Sequence, residues 1–326
     1  MKTLPLIGLL ALAAATLHGQ PTNGPVYWSP VASPPDCTSL AGESPVAVMS
    51  GTTTLGYSCY VSGTFVWFAA GGAWGSSIRV AAPASAAIGV DYTFYDASGD
   101  NLALDTTVGS PGNEVSFALA ANQPAEVGLL GVANSNHGAT QTGSVYAMIY
   151  CPDATTCANV LPQLLYSALP TIPWSMSVPI SWDTALWTQW SAEGIDDGGT
   201  NRVSLVVFNE NATAASYTVH AYDKMGSIAG SGTTPLIPAY GTYGALLSDV
   251  ISTPLPAGVF KVLVDGESNY SAVEMLQFNG ASASALQVAY DSVPNASPNA
   301  ALLRRTNSRS AHMASRPKQA FGALAR

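Results

Sequence analysis

Large apolar side chains alternate with polar ones over several short stretches of this chain, which is the pattern of β-strands with one buried face. The alternation is clearest in residues 90–95, 202–209, 216–222 and 259–264. Beyond the first residues, no stretch keeps the three- and four-residue apolar spacing of an amphipathic helix for more than two turns. Short strands with turn signals about every ten residues predict an all-β chain made of Greek-key sandwiches.

Two of these strands end in the same turn signal, an aspartate followed three residues later by a glycine. The signal occurs at Asp96 and Gly99 and again at Asp223 and Gly226, and it predicts a hairpin at each place. Displacing the chain by 127 residues superimposes the two turns and aligns further Gly, Thr, Pro and Met positions around them. These coincidences predict an internal duplication with a domain-sized period, and hence two related β-sandwich domains in tandem.

The order of strands and turns resembles a tandem repeat of secreted proteins from environmental bacteria. The matching stretches are residues 67–78, 94–102, 177–180, 196–199 and 208–209. The resemblance spans about residues 64–293 and implies two tandem immunoglobulin-like β-sandwich domains. Proteins of that kind have no established activity, so the resemblance implies a fold and export and brings no functional residues with it.

The N-terminus predicts a secretory signal peptide, because one lysine precedes an apolar stretch, residues 4–17, and small and polar residues follow. A membrane anchor is the alternative, but the run is shorter than the roughly 20 residues of a bilayer span. We therefore expect no membrane span in the mature chain. The predicted organisation is a signal peptide (1–19), an irregular leader with the first disulfide (20–63), β-sandwich domain 1 (64–160), a proline-rich connector (161–183), β-sandwich domain 2 (184–293) and a basic disordered tail (294–326).

Charge is sparse and unevenly placed. All twenty acidic residues lie between Gln20 and Pro294, where the only cations are Arg79, Arg202, Lys224 and Lys261. Such an acidic body argues against nucleic acid as the partner, since phosphate binding needs clustered Lys and Arg. The tail carries cations and no acid, and we expect it to be solvated; contact with an anionic surface is the alternative.

Four cysteines, Cys37, Cys59, Cys151 and Cys157, follow the predicted signal peptide. An even number of cysteines in an exported chain favours disulfides and a secreted, periplasmic or cell-surface location. Of the three possible pairings, closeness in sequence favours Cys37–Cys59 and Cys151–Cys157. A four-cysteine zinc site is the alternative, but neither pair has the spacing of a zinc knuckle.

Sequence signatures of hydrolases are missing, since the chain has neither a Gly-x-Ser-x-Gly elbow nor a His-Glu-x-x-His motif. His137 and His220 are the only histidines in the predicted folded body, and both are interpreted as surface residues. We therefore expect that the chain is not an enzyme. A cleft in which one of these histidines meets a buried carboxylate would favour the opposite conclusion.

Two sets of residues are candidates for binding. Trp182, Trp187 and Trp190 could stack on sugar rings, although filling a core or the seam between domains is the alternative for such large aromatics. The acidic residues Glu193, Asp196 and Asp197 form a loop whose hard oxygen ligands suit calcium, with a solvated turn as the alternative. No other cofactor is expected.

These observations together predict an exported, non-enzymatic structural, adhesion or surface-interaction protein, with a cell-surface protein or a polysaccharide as its partner. The alternative is a glycan-binding module, assisted by calcium. The second half carries both the tryptophans and the acidic loop, so a ligand is expected there first.

Overall fold

A computed structural model of the chain describes residues 30–40, 44–50, 53–168, 175–182, 186–195, 202–251, 255–256, 258–278, 283–285 and 288–290. The predicted signal peptide and basic tail lie outside these residues. The described part consists almost wholly of antiparallel strands, with two short helices, which confirms the predicted all-β class. In this part of the chain no helix combines the length and apolar character that crossing a membrane requires.

Two sheets, here called the N-terminal sheet pair, hold the strands up to Trp182. Their elements are β1 (Val46–Ser50), β2 (Thr53–Ala70), β3 (Trp74–Ala81), β4 (Ile88–Asp96), β5 (Leu104–Thr106), β6 (Glu114–Leu119), β7 (Pro124–Val132), β8 (Gln141–Cys151), α1 (Ala154–Ala158), β9 (Gln163–Ala168), β10 (Ser175–Pro179) and β11 (Ser181–Trp182). One sheet has the order β1-β2-β8-β4-β6, with β11 also paired to β2, and the other has the order β10-β9-β3-β7-β5. From β2 to β9 successive strands change sheet, so their inward side chains form one core.

The C-terminal sheet pair follows. Its elements are β12 (Gln189–Glu193), β13 (Arg202–Asn209), β14 (Thr218–Asp223), β15 (Ile228–Thr233), β16 (Thr242–Leu246), α2 (Leu247–Val250), β17 (Val259–Asp265), β18 (Ser271–Phe278), β19 (Ala283–Ala285) and β20 (Val288–Tyr290). The sheet orders are β15-β14-β17-β12-β20 and β16-β13-β18-β19. Alternate residues of these strands, among them Leu205, Val219 and Val262, fill a second core.

The structure confirms the two favoured disulfides, Cys37–Cys59 and Cys151–Cys157. Cys59 and Cys151 face each other on β2 and β8, so the two disulfides lie side by side at one end of the first core. Their sequence separations are 22 and 6. By the loop entropy removed from the unfolded chain, the first stabilises the fold by about 3 kcal/mol and the second by about 2 kcal/mol.

The predicted irregular leader and the predicted proline-rich connector both contain strands. The leader 20–63 holds β1 and the first half of β2, and the connector 161–183 holds β9, β10 and β11. Proline is compatible with these strands because Pro179 is the last residue of β10, which lies at the edge of its sheet, where a missing backbone N–H breaks no ladder.

The repeated turns have the same geometry, but the strands around them have different neighbours. The carboxylate of Asp96 accepts hydrogen bonds from the backbone N–H groups two and four residues further on, and that of Asp223 does the same. Gly99 and Gly226 both have positive φ. However, β4 lies between β8 and β6, whereas β14 lies between β17 and β15. Both turns close an antiparallel bridge, Tyr95 with Asn101 and Tyr222 with Ile228, as predicted. Only the second continues into a paired strand, β15, because the chain after β4 crosses to the other sheet.

A buried seam joins the two sheet pairs. An irregularity in β2 between Phe65 and Phe68 lets both of these rings face the first core, while Val66 is buried in the seam and Trp67 packs against it. On the opposite side, Phe208 of β13 packs in the same cluster. Gly244 lies directly under the Trp67 indole, because a Cβ there would come within 3.0 Å of the ring. The seam therefore makes the two sheet pairs parts of one packed body.

Candidate functional site

A surface groove lies on the outer face of the C-terminal sheet pair. Tyr222, Lys261 and Glu193 are direct partners across β14, β17 and β12, so their side chains form one row on that face. The residues next to them, such as Ala221, Val262 and Ala192, point into the second core. The strand alternation that fills the core thus also builds the groove.

A backbone irregularity shapes the end of this groove that lies next to the Asp223 turn. The pairing of β14 with β17 shifts between Tyr222 and Asp223, and the Asp223 turn follows directly. The turn carries Lys224, whose ammonium lies 6.0 Å from the centroid of the Phe260 ring. The groove encloses about 340 Å³ and is lined by Glu193, Tyr222, Asp223, Lys224, Gly226, Phe260, Lys261 and Leu263.

Positive and negative groups are balanced in the groove. Lys224 and Lys261 face Glu193 and Asp223, and the Lys261 ammonium lies 3.9 Å from the Glu193 carboxylate. The Glu193 side chain is 63% exposed, so this ion pair contributes little, on the order of 0–1 kcal/mol. The Glu193 carboxylate is therefore open to a ligand at low cost.

The structure places one of the three predicted calcium ligands in this groove, Glu193, whereas Asp196 and Asp197 lie outside the described residues. Among the residues that the structure does describe, no three His, Cys, Asp or Glu side chains come together as a metal site. The calcium site stays a prediction.

The three candidate tryptophans divide between the two sheet pairs. Trp182 packs against the first core, and Trp190 packs against the second, with its indole N–H donating to the Ser271 carbonyl at 2.8 Å. Trp187 is half-buried, and its own carbonyl accepts the Ser271 N–H at 2.9 Å. Trp187 and Trp190 therefore lie close together, since both bond to the backbone of Ser271, whereas Trp182 lies in the N-terminal sheet pair. A role of these tryptophans in ligand binding stays a prediction.

A second cavity, of about 260 Å³, lies at the seam and is mostly apolar. Trp67, Trp74, Tyr166 and Met176 of the N-terminal sheet pair form one side of it, and Leu276 of β18 contributes to the other. Cavities between packed units of a fold are common places for small apolar ligands.

A buried carboxyl group, Glu274, lies at the same seam. The Tyr166 hydroxyl is 3.1 Å from Glu274 Oε1 and also bonds to the Trp67 carbonyl. Burial raises the pKa of Glu274 to about 8, and the hydrogen bond from Tyr166 opposes this rise. A hydroxyl has a single proton, so it satisfies both acceptors only when the Glu274 carboxyl is protonated and donates to it. The geometry therefore agrees with a neutral Glu274 near pH 7.

Sequence reasoning missed Glu274, although a signal was present. In Ala272–Leu276 the residues on both sides of the strand are apolar apart from this glutamate, which indicates a strand buried on both faces. An acidic residue within such a strand is expected to be buried, and a buried carboxyl group needs a hydrogen-bond partner or a proton.

An enzyme is to be considered if His137 or His220 meets a buried carboxylate in a cleft. His137 does contact a carboxylate, that of Asp105. Its Nε2 lies 2.7 Å from Asp105 Oδ2, which also accepts the Asn134 N–H at 3.2 Å. Neither His137 nor His220 lines the groove or the seam cavity. The contact holds the loop after β7 against β5, and His220 Nδ1 lies 2.9 Å from the Ser231 hydroxyl. That the chain is not an enzyme stays a prediction.

A comparison of the chain with protein-family models finds no match, and neither does a comparison with curated proteins.

Proposed function

We propose that this chain is an exported, non-enzymatic protein that acts by contacting other surfaces, in a structural or adhesive role, outside the cytoplasm or at the cell surface. The observation that carries the proposal is the pair of adjacent disulfides at the end of the first core, because such bonds persist in oxidising compartments. The buried seam supports it too, since closely packed sheet pairs suit a scaffold. Kinship with tandem immunoglobulin-like repeat proteins is part of the same proposal.

Expression of the full chain with a C-terminal tag in a bacterial host tests export. We expect the mature protein outside the cytoplasm, with an N-terminus near residue 20 and without free thiols, because the signal peptide directs export and the four cysteines pair. A matched control replaces the apolar residues Leu9 and Leu10 by Asp, which should keep the chain in the cytoplasm. Unprocessed cytoplasmic protein with titratable thiols from the unaltered chain would contradict the proposal.

A second candidate function, binding of glycans, is favoured by the groove on β12, β14 and β17. It combines the aromatic rings of Tyr222 and Phe260 with charged side chains that donate and accept hydrogen bonds. Its test is retention of the protein in gels that contain soluble polysaccharides, with calcium and with a chelator. Absence of retention by every polymer under both conditions would contradict this candidate.

A further inference from the structure

We propose that the groove on the outer face of β12, β14 and β17 binds a neutral polysaccharide, with Tyr222 and Phe260 as the platform for its sugar rings. This inference rests on the glycan-binding candidate and assigns that function a site and a class of ligand. It also moves the expected binding residues from the candidate tryptophans to a different part of the second half.

The apolar part of the groove suits the flat face of a sugar. Tyr222 on β14 and Phe260 on β17 are both half-buried and line the groove, with the Lys224 ammonium 6.0 Å from the centroid of the Phe260 ring. Leu263 continues the apolar surface along β17. A pyranose ring presents a face of C–H groups, and such a face packs on an aromatic ring while its hydroxyl groups stay at the edge. Aromatic side chains on neighbouring strands can therefore support consecutive units of an extended polymer.

The polar part of the groove suits hydroxyl groups. Lys224 and Lys261 donate hydrogen bonds only, and the Glu193 carboxylate accepts only. A sugar hydroxyl does both, so it can bridge the Lys261 ammonium and the Glu193 carboxylate, which lie 3.9 Å apart. Asp223 is less available, because its Oδ1 atom already accepts the N–H groups of Met225 and Ser227.

The charge of the protein selects against an acidic polymer. Two ammonium groups and two carboxylates line the groove, so it holds no surplus positive charge. The chain around it is acidic, with all twenty acidic residues and only four cations between Gln20 and Pro294. An anionic polysaccharide would meet repulsion from this body within the Debye length of about 8 Å, whereas a neutral polymer meets none.

Affinity electrophoresis of the full mature chain tests the inference with hydroxyethyl cellulose, glucomannan and laminarin as neutral polymers and polygalacturonate as the acidic one. We expect retardation by at least one neutral polymer, nearly independent of salt. Tyr222→Ala and Phe260→Ala should each weaken it about tenfold, the equivalent of one lost aromatic contact. Lys261→Met should weaken retardation as well. This variant still tests the groove if an aromatic variant does not fold.

Leu236→Ala and Arg202→Gln are the matched controls, since they remove an exposed apolar side chain and an exposed cation elsewhere. Both should leave retardation unchanged. Retention by polygalacturonate alone, falling with salt, would overturn the neutral class but keep glycan binding. If neutral polymers retain the groove variants as strongly as the unaltered chain, the assignment of binding to this groove would be overturned. If the groove binds a protein instead of a glycan, no polymer should retain the chain. That result would overturn both the inference and the glycan-binding function.

Discussion

Replacement of Glu274 by glutamine is expected to stabilise the protein increasingly as the pH rises, with a gain of about 5 kcal/mol above pH 8. The physical reason is the burial of the carboxyl group in the seam, which raises its folded-state pKa to about 8 from an ordinary value of 4.5. Between these values the folded state binds a proton that the unfolded state has released. The free energy of unfolding of the wild type therefore falls as the pH rises through this window, and glutamine removes the titration.

Denaturant unfolding of the wild type and of Glu274→Gln, measured at a series of pH values from 4.5 to above 8, checks this prediction. The difference between the two proteins should be small at the acidic end and should grow towards the alkaline end. Glu267→Gln makes the same chemical change at an exposed position and should give a difference that hardly varies with pH. A constant difference for Glu274→Gln would show that the carboxyl group is not buried as described.

Phe208→Ala is expected to lower the free energy of unfolding by about 3–5 kcal/mol. The ring is 1% exposed and packs with Val66 of β2 and Ala272 of β18, so its loss opens a cavity between the two sheet pairs. Because Phe208 lies on the face of β13 that is opposite to the second core, the variant tests the seam itself. Phe208→Leu keeps most of the volume and should cost about 1 kcal/mol.

Equilibrium denaturation followed by circular dichroism and by tryptophan fluorescence checks the loss. Leu236→Ala is the control, since this side chain is 68% exposed and its removal should change stability by no more than about 0.5 kcal/mol. If Phe208→Ala proved as mild as the control, the seam would not be the close contact that its burial indicates, and the two sheet pairs would be independent units.

Local features of the protein could be predicted from the sequence because each depends on residues close together in the chain. The alternation in residues 90–95 and 216–222 predicted strands where β4 and β14 occur. The Asp and Gly spacing predicted the turns after both strands, since the aspartate bonds to amides only two and four residues away. The short spans between cysteines favoured the disulfides that form.

The candidate site could be predicted only in part. The acidic loop pointed to the second half of the chain, and Glu193 does line the groove. Tyr222, Phe260 and Lys261 had no signal of their own, because an aromatic or a lysine on the outer face of a strand is ordinary. Only the pairing of β14 and β12 with β17 brings them together, and the partners Tyr222 and Glu193 lie 39 and 68 residues from Lys261 in the sequence.

The sequence by itself determined the all-β class and the positions of several strands and turns, and it favoured the disulfide pairs that form, because periodicity, turn chemistry and short loop closure act within a few residues. Only the tertiary structure decided which strands are neighbours. Two turns of the same geometry are followed by a paired strand after β14 and by a change of sheet after β4, since strand pairing depends on surfaces distant in the chain. The same holds for the seam, where the burial of Glu274 and Phe208 exists only because one sheet pair covers the outer face of the other.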